Sequence, residues 1–140
     1  MIPLTPGLCH CFAARQAARA VTQIYDKHLK QAGLTGSQFS ILSMILGHGS
    51  IAVADLADEL GMERTSVVRA LKPLYRDGFI TDAPCKTDSR RMLLSLTKTG
   101  RLKHEEAVPL WQSAQNEWTR KIGVQRANSI RDELISISHI

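Results

Sequence analysis

Four side chains near the middle of the chain carry hydrogen-bond donors of the kinds that reach base edges and phosphates in a DNA groove. They are Arg64, Thr65, Ser66 and Arg69. An arginine can bridge the O6 and N7 atoms of guanine, whereas serine and threonine are less selective. Any of the four can contact a base or a phosphate. Lys72 and Arg76 follow at helical spacing, and we expect them to meet phosphates, which position a protein without reading sequence.

A second chemical feature is the segment Cys9-His10-Cys11. We expect it near the start of the first helix, where the positive helix end favours a thiolate, and Arg15 lies one turn after Cys11. Two residues apart on a helix, the two cysteines point to nearly opposite sides and cannot bridge each other without unwinding. A link across a dimer or to an external thiol remains open, so Cys9 and Cys11 are either redox-active or small packing residues at a helix interface.

Metal, cofactor and enzyme chemistry have little support. The five histidines are scattered, and no second ligand pair has zinc spacing. The chain has no glycine-rich phosphate loop and no nucleophile elbow, so we expect no cofactor and no enzymatic activity. It also has no apolar run long enough to span a membrane and no secretion signal, and its three cysteines fit a reducing cytoplasm.

The candidate DNA-contacting residues lie in a predicted helix-turn-helix. Ala57 is small enough for two helices to cross closely, Gly61 can supply the positive φ of the turn, and Val67 fills the crossing. Gly78 should end the second helix. Pro73, inside that helix, should bend it or end its regular part, because it removes one backbone hydrogen bond.

A basic hairpin, or wing, is predicted directly after these helices. The expected strands are 79–82 and 92–97, and between them lies a polar tip that carries Lys86, Asp88, Arg90 and Arg91. We expect Asp88 to orient the wing through hydrogen bonds or an ion pair, while Lys86 and Arg91 are weaker candidates for DNA contact. Ser37, near the start of an earlier helix, either donates to a phosphate or simply caps that helix.

The positive charge is concentrated in this part of the chain. Residues 61–104 carry ten basic and four acidic residues, a net charge of +6, whereas the remainder has eight basic and nine acidic residues, a net charge of −1. A basic surface of this kind is typical of proteins that bind a phosphate backbone. The alternative is a winged helix that binds another protein without specific DNA binding.

The terminal segments predict further helices with apolar faces that the winged helix does not need. A helix is expected to start at Thr5-Pro6 and stop at Gly33, and two more cover 98–122 and the C-terminus. We therefore expect one unit over 1–140 of mainly α (α+β) class: a winged helix-turn-helix at about 35–100, with dimerisation helices at about 5–33 and 101–140. A homodimer would read two half-sites of a pseudo-palindromic duplex.

The run Asp88-Ser89-Arg90-Arg91-Met92-Leu93-Leu94-Ser95-Leu96-Thr97-Lys98-Thr99-Gly100 resembles the wing motif of the MarR family of bacterial transcription regulators. The run Gly33-Leu34-Thr35-Gly36-Ser37-Gln38-Phe39 is similar to the family's segment between its first two helices, and the order of elements also agrees. The resemblance implies a homodimeric winged-helix regulator, usually a repressor released by a small molecule or an oxidant. It also implies that Arg90, at the wing tip, enters the minor groove.

The segment Cys11-Phe12-Ala13-Ala14 also resembles the sensing region of the OhrR branch of that family, the organic-hydroperoxide sensors. The match is partial: Gly36 and Phe39 stand in the region where that branch has tyrosines, and no cysteine follows Cys85. The resemblance also leaves open a small aromatic or otherwise anionic effector held between the dimerisation helices and the winged helix. His10, Arg15 and Arg19 could meet its charge there, or could form ordinary surface ion pairs.

Overall fold

Six α-helices and a three-stranded antiparallel sheet make up residues 6–138, the part of the chain that the computed structural model describes. The helices are α1 (His10–Leu29), α2 (Gly36–His48), α3 (Val53–Leu60), α4 (Arg64–Arg76), α5 (Lys98–Ile122) and α6 (Val124–Ile137). The strands are β1 (Ile51–Ala52), β2 (Ile80–Pro84) and β3 (Met92–Leu96). The predicted mainly helical winged helix-turn-helix fold is confirmed. None of these helices is long and apolar enough to cross a membrane.

The start of α1 differs from the sequence prediction. Thr5 lies outside the described residues, Pro6–Leu8 form a short 3-10 helix, and α1 begins only at His10, so a helix start at Pro6 is wrong. The reason is local: Cys9 has an extended backbone and its Sγ accepts the backbone N–H of Phe12 at 3.3 Å, which makes Cys9 the N-cap. The predicted stop at Gly33 is confirmed, since Gly33 has a φ of 75° after a last 3-10 turn.

The predicted helix-turn-helix is confirmed as α3 and α4. Gly61 has a φ of 65°, and the N–H of Met62 donates to the carbonyl of Ala57 at 3.0 Å, which closes the turn. Ala57 and Val67 are buried where the helices cross. Pro73 does not end α4, which continues to Arg76, because one missing backbone hydrogen bond is tolerated near the last turn of a helix that is packed on the core.

The sheet has the order β1-β3-β2, so the wing hairpin is extended by the short strand that precedes α3. Ile80 pairs with Leu96 and Ile51 pairs with Leu94, and all four side chains are buried. Strand β2 runs two residues beyond the predicted end at Asp82. Pro84 can take part because it lies at the end of an edge strand, where its missing N–H removes no interior hydrogen bond.

The wing joins α5 through a tight junction formed by Thr97 and Gly100. The Oγ1 of Thr97 accepts the N–H of Gly100 at 3.0 Å and donates to the carbonyl of Gly78, while the N–H of Thr97 donates to the carbonyl of Phe79 at 3.0 Å. A Cβ on Gly100 would lie 2.0 Å from the carbonyl oxygen of Phe79. The end of α4, the start of β2 and the first turn of α5 therefore meet at one point.

A polar cluster holds the second half of α1 against α5. Glu117 accepts hydrogen bonds from Lys27 at 2.7 Å and pairs with His28 at 3.0 Å, and Tyr25 donates to Gln115. The hydrogen bonds from Lys27 and His28 hold the pKa of Glu117 at about 2, below its usual 4.5. This contact fixes the long helix that leads away from the wing.

Apolar surface is left uncovered at both ends of the described chain. All residues from 7 to 20 are exposed, including Phe12, although this part of α1 is helical and rich in alanine. On α6, Leu134 and Ile137 are each more than half exposed, and with Ile130 they line a groove of about 240 Å³. Two long helical segments therefore have apolar sides that nothing in residues 6–138 covers.

Replacing Gly100 by alanine should lower the free energy of unfolding by about 3 kcal/mol or more, because the new methyl group would overlap the carbonyl of Phe79. Urea unfolding followed by circular dichroism measures this. Gly47→Ala is the matched control, because a Cβ at Gly47 in α2 meets nothing within 4 Å. Its free energy of unfolding should rise by up to about 1 kcal/mol, since alanine favours a helix over glycine. A Gly100→Ala protein as stable as the wild type would contradict the close approach.

Replacing Glu117 by glutamine should lower the urea midpoint at neutral pH. A carboxyl whose pKa is lowered by folding stabilises the protein above its unfolded pKa, and the contribution is lost as the pH falls through the folded pKa. The difference between wild type and Glu117→Gln should therefore shrink between pH 4.5 and about 2. Glu105→Gln, at an exposed α5 residue without an ion pair among residues 6–138, should show little difference at any pH. A pH-independent difference for Glu117→Gln would contradict this assignment.

Candidate nucleic-acid interface

Helix α4 presents a polar stripe opposite its buried side. Val67, Leu71 and Leu74 are buried in the core. The outward stripe follows from the helical period, and its members are Thr65, Arg69, Lys72 and Arg76, all exposed. Arg64 is exposed on one side of the stripe, whereas Ser66 is half-buried on the other. The structure therefore brings together most of the residues predicted on α4 and turns Ser66 partly inward.

The cations of this stripe are largely free to meet a ligand. Within the described part of the chain, the side chains of Arg64, Arg69 and Lys72 take part in no ion pair, while Arg76 contacts only the adjacent Asp77 at 3.2 Å. Cations on other helices are paired differently, as Lys103 is with Glu106 at 2.9 Å. An exposed helix face with unpaired donors and net positive charge suits an anionic, hydrogen-bonding surface.

The wing tip is organised around Asp88. Its Oδ1 accepts the backbone N–H of Arg90 at 3.1 Å and the Nε of Arg90 at 3.3 Å, and the N–H of Arg91 donates to the carbonyl of Asp88 at 3.0 Å. The side chain of Arg90 remains 92% exposed. Asp88 therefore fixes the turn and contacts the Nε of the Arg90 guanidinium, while most of the Arg90 side chain stays exposed to solvent. Lys86 is exposed on the same loop.

Arg91 has a different environment from Arg90. Its Nη2 lies 2.8 Å from an oxygen of Asp55 on α3, and its carbonyl accepts the N–H of Cys85 at 2.7 Å across the wing. The sequence suggested Arg91 as a weaker nucleic-acid contact. In the structure it connects the loop of the wing to α3, the first helix of the helix-turn-helix, and lies half-exposed at the edge of a surface cleft.

Tyr75 is a contact that the sequence reasoning missed. Its hydroxyl donates to Asp82 at 2.7 Å, which joins the last turn of α4 to strand β2. Burial, together with the hydrogen bond and charge of Asp82, raises the pKa of Tyr75, so the hydroxyl stays protonated and keeps donating. The sequence could have indicated this contact, because Tyr75 lies one turn before the predicted helix end at Gly78 and seven residues before Asp82 on the predicted strand.

Ser37 lies at the start of α2 but does not cap it. The N-cap is Thr35, whose Oγ1 accepts the N–H of Gln38 at 3.1 Å, and Gln38 returns a side-chain hydrogen bond to the N–H of Thr35. The simple capping role considered for Ser37 is therefore wrong. Its side chain is exposed in the first turn, where helix N–H groups favour an anion.

The three cysteines lie apart from the core. Cys9 and Cys11 are exposed and Cys85 is half-buried on the wing. Because Cys9 is the N-cap and only Cys11 is helical, the expectation that both lie on one helix is wrong. The alternative of small buried packing residues does not hold within the single chain. Among residues 6–138, no group of three potential ligands could hold a metal ion.

The charged residues near the start of α1 are not gathered into a pocket. His10, Arg15 and Arg19 are all exposed on the uncovered half of the helix.

Between α2 and α5, the ring of His104 stacks on Phe39 with centroids 5.0 Å apart. Burial lowers the pKa of His104, so the neutral ring is favoured there.

Comparison with known proteins agrees with this geometry. Residues 32–91 match the model of the MarR family. The regulator FarR of Neisseria gonorrhoeae is 30% identical over 125 residues, which cover 89% of this chain and 86% of that protein. The organic hydroperoxide resistance transcriptional regulator of Bacillus subtilis is 28% identical over 71% of this chain and 68% of its own length. The M. tuberculosis regulator MosR, solved in complex with DNA, superposes with a TM-score of 0.76 at 34% identity, over 94% of this chain and 99% of that one.

Proposed function

The chain belongs to the MarR family of transcriptional regulators, and from that premise we propose that it is a homodimeric repressor that binds a specific sequence of double-stranded DNA. The similar proteins FarR and MosR are named as transcriptional regulators, and MosR was solved with DNA bound. Such a role places this protein where the chromosome lies, in the cytoplasm, and assigns it no enzymatic activity.

The observation that carries the proposal is the exposed polar face of α4, together with an exposed arginine on the wing. Thr65 and Arg69 lie in the first two turns, where a recognition helix meets base edges, and Lys72 and Arg76 continue the same stripe toward the phosphates. We assign Arg64 to the end of α4 that reads bases. Because Ser66 is half-buried, we assign it at most a contact with the DNA backbone. Neutralising several phosphates in this way makes binding strongly salt-dependent.

The wing supplies the second set of contacts. We propose that Arg90 enters the minor groove, because its guanidinium is exposed while Asp88 holds its base in place. Lys86 lies on the same loop and can meet a phosphate, whereas Arg91 acts through its ion pair with Asp55 to hold the wing on α3. Ser37, exposed at the N-terminal turn of α2, can donate to a phosphate at the edge of the same surface.

Dimerisation would cover the apolar surface at both ends of the chain. We propose that the exposed half of α1 and the apolar side of α6, including Leu134 and Ile137, form the interface between two copies. The division is then one unit over 1–140, with the DNA-binding part at about 35–100 and dimerisation helices at about 5–33 and 101–140. Two recognition helices related by a two-fold axis would read a pseudo-palindromic operator.

Release from DNA has two candidate signals. The exposed thiols of Cys9 and Cys11 suit oxidation: a thiolate attacks a hydroperoxide to give a sulfenic acid and an alcohol, and a second thiol then displaces water to form a disulfide. The other signal is a small aromatic or otherwise anionic effector, for which His10, Arg15 and Arg19 are exposed cationic or polarisable partners near the proposed interface. We favour thiol oxidation over the effector as the signal, because both thiols lie at the N-terminal end of α1, beside the proposed dimer contact.

Arg90→Ala should weaken binding to an operator duplex at least tenfold while leaving the dimer intact, because it removes one minor-groove cation from each subunit. Fluorescence anisotropy on duplexes from upstream of the protein's own gene, with excess nonspecific competitor and a salt series, measures this. Arg120→Ala removes the same charge from the exposed end of α5 and should change affinity little.

Competitor-resistant binding that falls steeply with salt would support the proposed function. Wild-type protein that shows only weak, competitor-sensitive binding to every duplex of a genomic library would contradict it, and would favour a winged helix that binds protein. Equal losses for Arg90→Ala and Arg120→Ala would overturn the wing role and leave a general charge effect. Dimer mass, measured by light scattering, should be the same for all three proteins.

Cys11→Ser should keep operator binding and lose any release by organic hydroperoxide, because the serine hydroxyl does not form a sulfenic acid. The measurement is operator affinity before and after peroxide treatment, followed by reductant. Cys85→Ser is the matched control, since it removes a thiol on the wing, and its release by peroxide should resemble that of the wild type. Undiminished release of Cys11→Ser would contradict a sensing role for Cys11.

A further inference from the structure

We propose that Val68 is a specificity-determining residue that contacts the C5-methyl group of a thymine in each half-site. The inference rests on the proposed DNA binding and adds to it a base type and a residue. Valine has no polar group in its side chain, so a search for hydrogen-bonding residues does not find this contact. It depends instead on where α4 leaves an apolar side chain uncovered.

The first observation is that Val68 differs in exposure from the other large aliphatic residues of α4, while the aromatic Tyr75, 39% exposed, is already hydrogen-bonded to Asp82. Val67 is 0% exposed, Leu71 2% and Leu74 1%, but Val68 is 45% exposed. The core therefore takes up three apolar residues of α4 and leaves Val68 on the polar side. A single exposed apolar residue on an ordinary surface needs no explanation, but here the surrounding surface is the one proposed to meet DNA.

The second observation is the set of neighbours along the helix. Arg64 lies one turn before Val68 and Lys72 one turn after it, and Thr65 lies three residues before it, so these side chains share a side of α4. Arg64 and Lys72 form no ion pair in the described range and have long side chains that can reach phosphates or base edges. Val68 is short, so it can contact a base only where α4 itself lies deep in the groove.

Helix stability does not account for a valine at this position. A β-branched residue loses χ1 freedom in a helix, and an exposed site returns little packing energy in compensation. In the major groove, by contrast, the thymine methyl is the apolar group on a base edge, and a small apolar side chain is its natural partner. Val68 thus fits a site between Arg64 and Lys72 at which an A·T pair is preferred.

The test uses a duplex that the wild-type protein itself selects from a random library, in which each thymine is replaced in turn by uracil. Uracil keeps every hydrogen-bonding group and lacks only the methyl. Removing the contacted methyl should weaken wild-type binding about fourfold in each half-site, as expected for one buried methyl group. Val68→Ala should bind the thymine duplex with a similar loss and show no further loss on uracil at that position.

Leu46→Ala is the matched control, because Leu46 is an aliphatic residue on α2, outside the residues assigned to DNA contact and the helices assigned to dimerisation, with a similar exposure of 38%. It should show the wild-type uracil pattern. Val68→Ala should fold, since alanine is the better helix former at an exposed position, and a circular dichroism melt verifies this. Uracil losses that are absent in the wild type, or that persist unchanged in Val68→Ala, would overturn the role of Val68. Failure of the wild type to enrich any sequence would instead overturn the proposed function.

Discussion

The close contact of Gly100 with the carbonyl of Phe79 is the constraint on which the arrangement of the DNA-binding part depends. Phe79 directly follows Gly78, where the turn after α4 reverses the chain, and Gly100 lies in the first turn of α5. Thr97 bonds to the backbone at both sides of this contact. The recognition helix, the wing and the helix that leads to the proposed dimer interface are therefore fixed to one another. The first turn of α5 thus holds the end of α4 and the start of the wing together.

The acidic and the basic residues of the described chain have different roles. Glu117 is paired with cations that hold α1 on α5, Asp55 holds the wing through Arg91, and Asp88 holds Arg90. On the α4 stripe, Arg69 and Lys72 have no acidic partner in the described chain, and Arg76 contacts only the adjacent Asp77. Acidic residues here position the binding surface, whereas most basic residues on it remain available.

The sequence predicted the elements well where a local rule decides them. Gly61 and Gly78 mark turns with positive φ, and Thr97 caps α5 where expected. The prediction from sequence failed where the structure depends on a contact between segments that are far apart in the chain. The pairing of Arg91 with Asp55 joins residues 36 positions apart, and its geometry depends on how the wing packs on α3. The start of α1 was missed because a cysteine, an uncommon N-cap, takes the place that Thr5 was expected to fill.

Footprinting of the protein on its operator with dimethyl sulfate, which reads guanine N7 in the major groove, and with hydroxyl radicals, which read the sugars from the minor groove, tests most directly whether α4 and the wing of two subunits bind DNA together. We expect two protected major-groove segments about one helical turn apart, each flanked on its outer side by minor-groove protection from the wing. Their spacing should be independent of protein concentration once the operator is saturated. A single protected segment, or major-groove protection without the flanking minor-groove sites, would contradict the account.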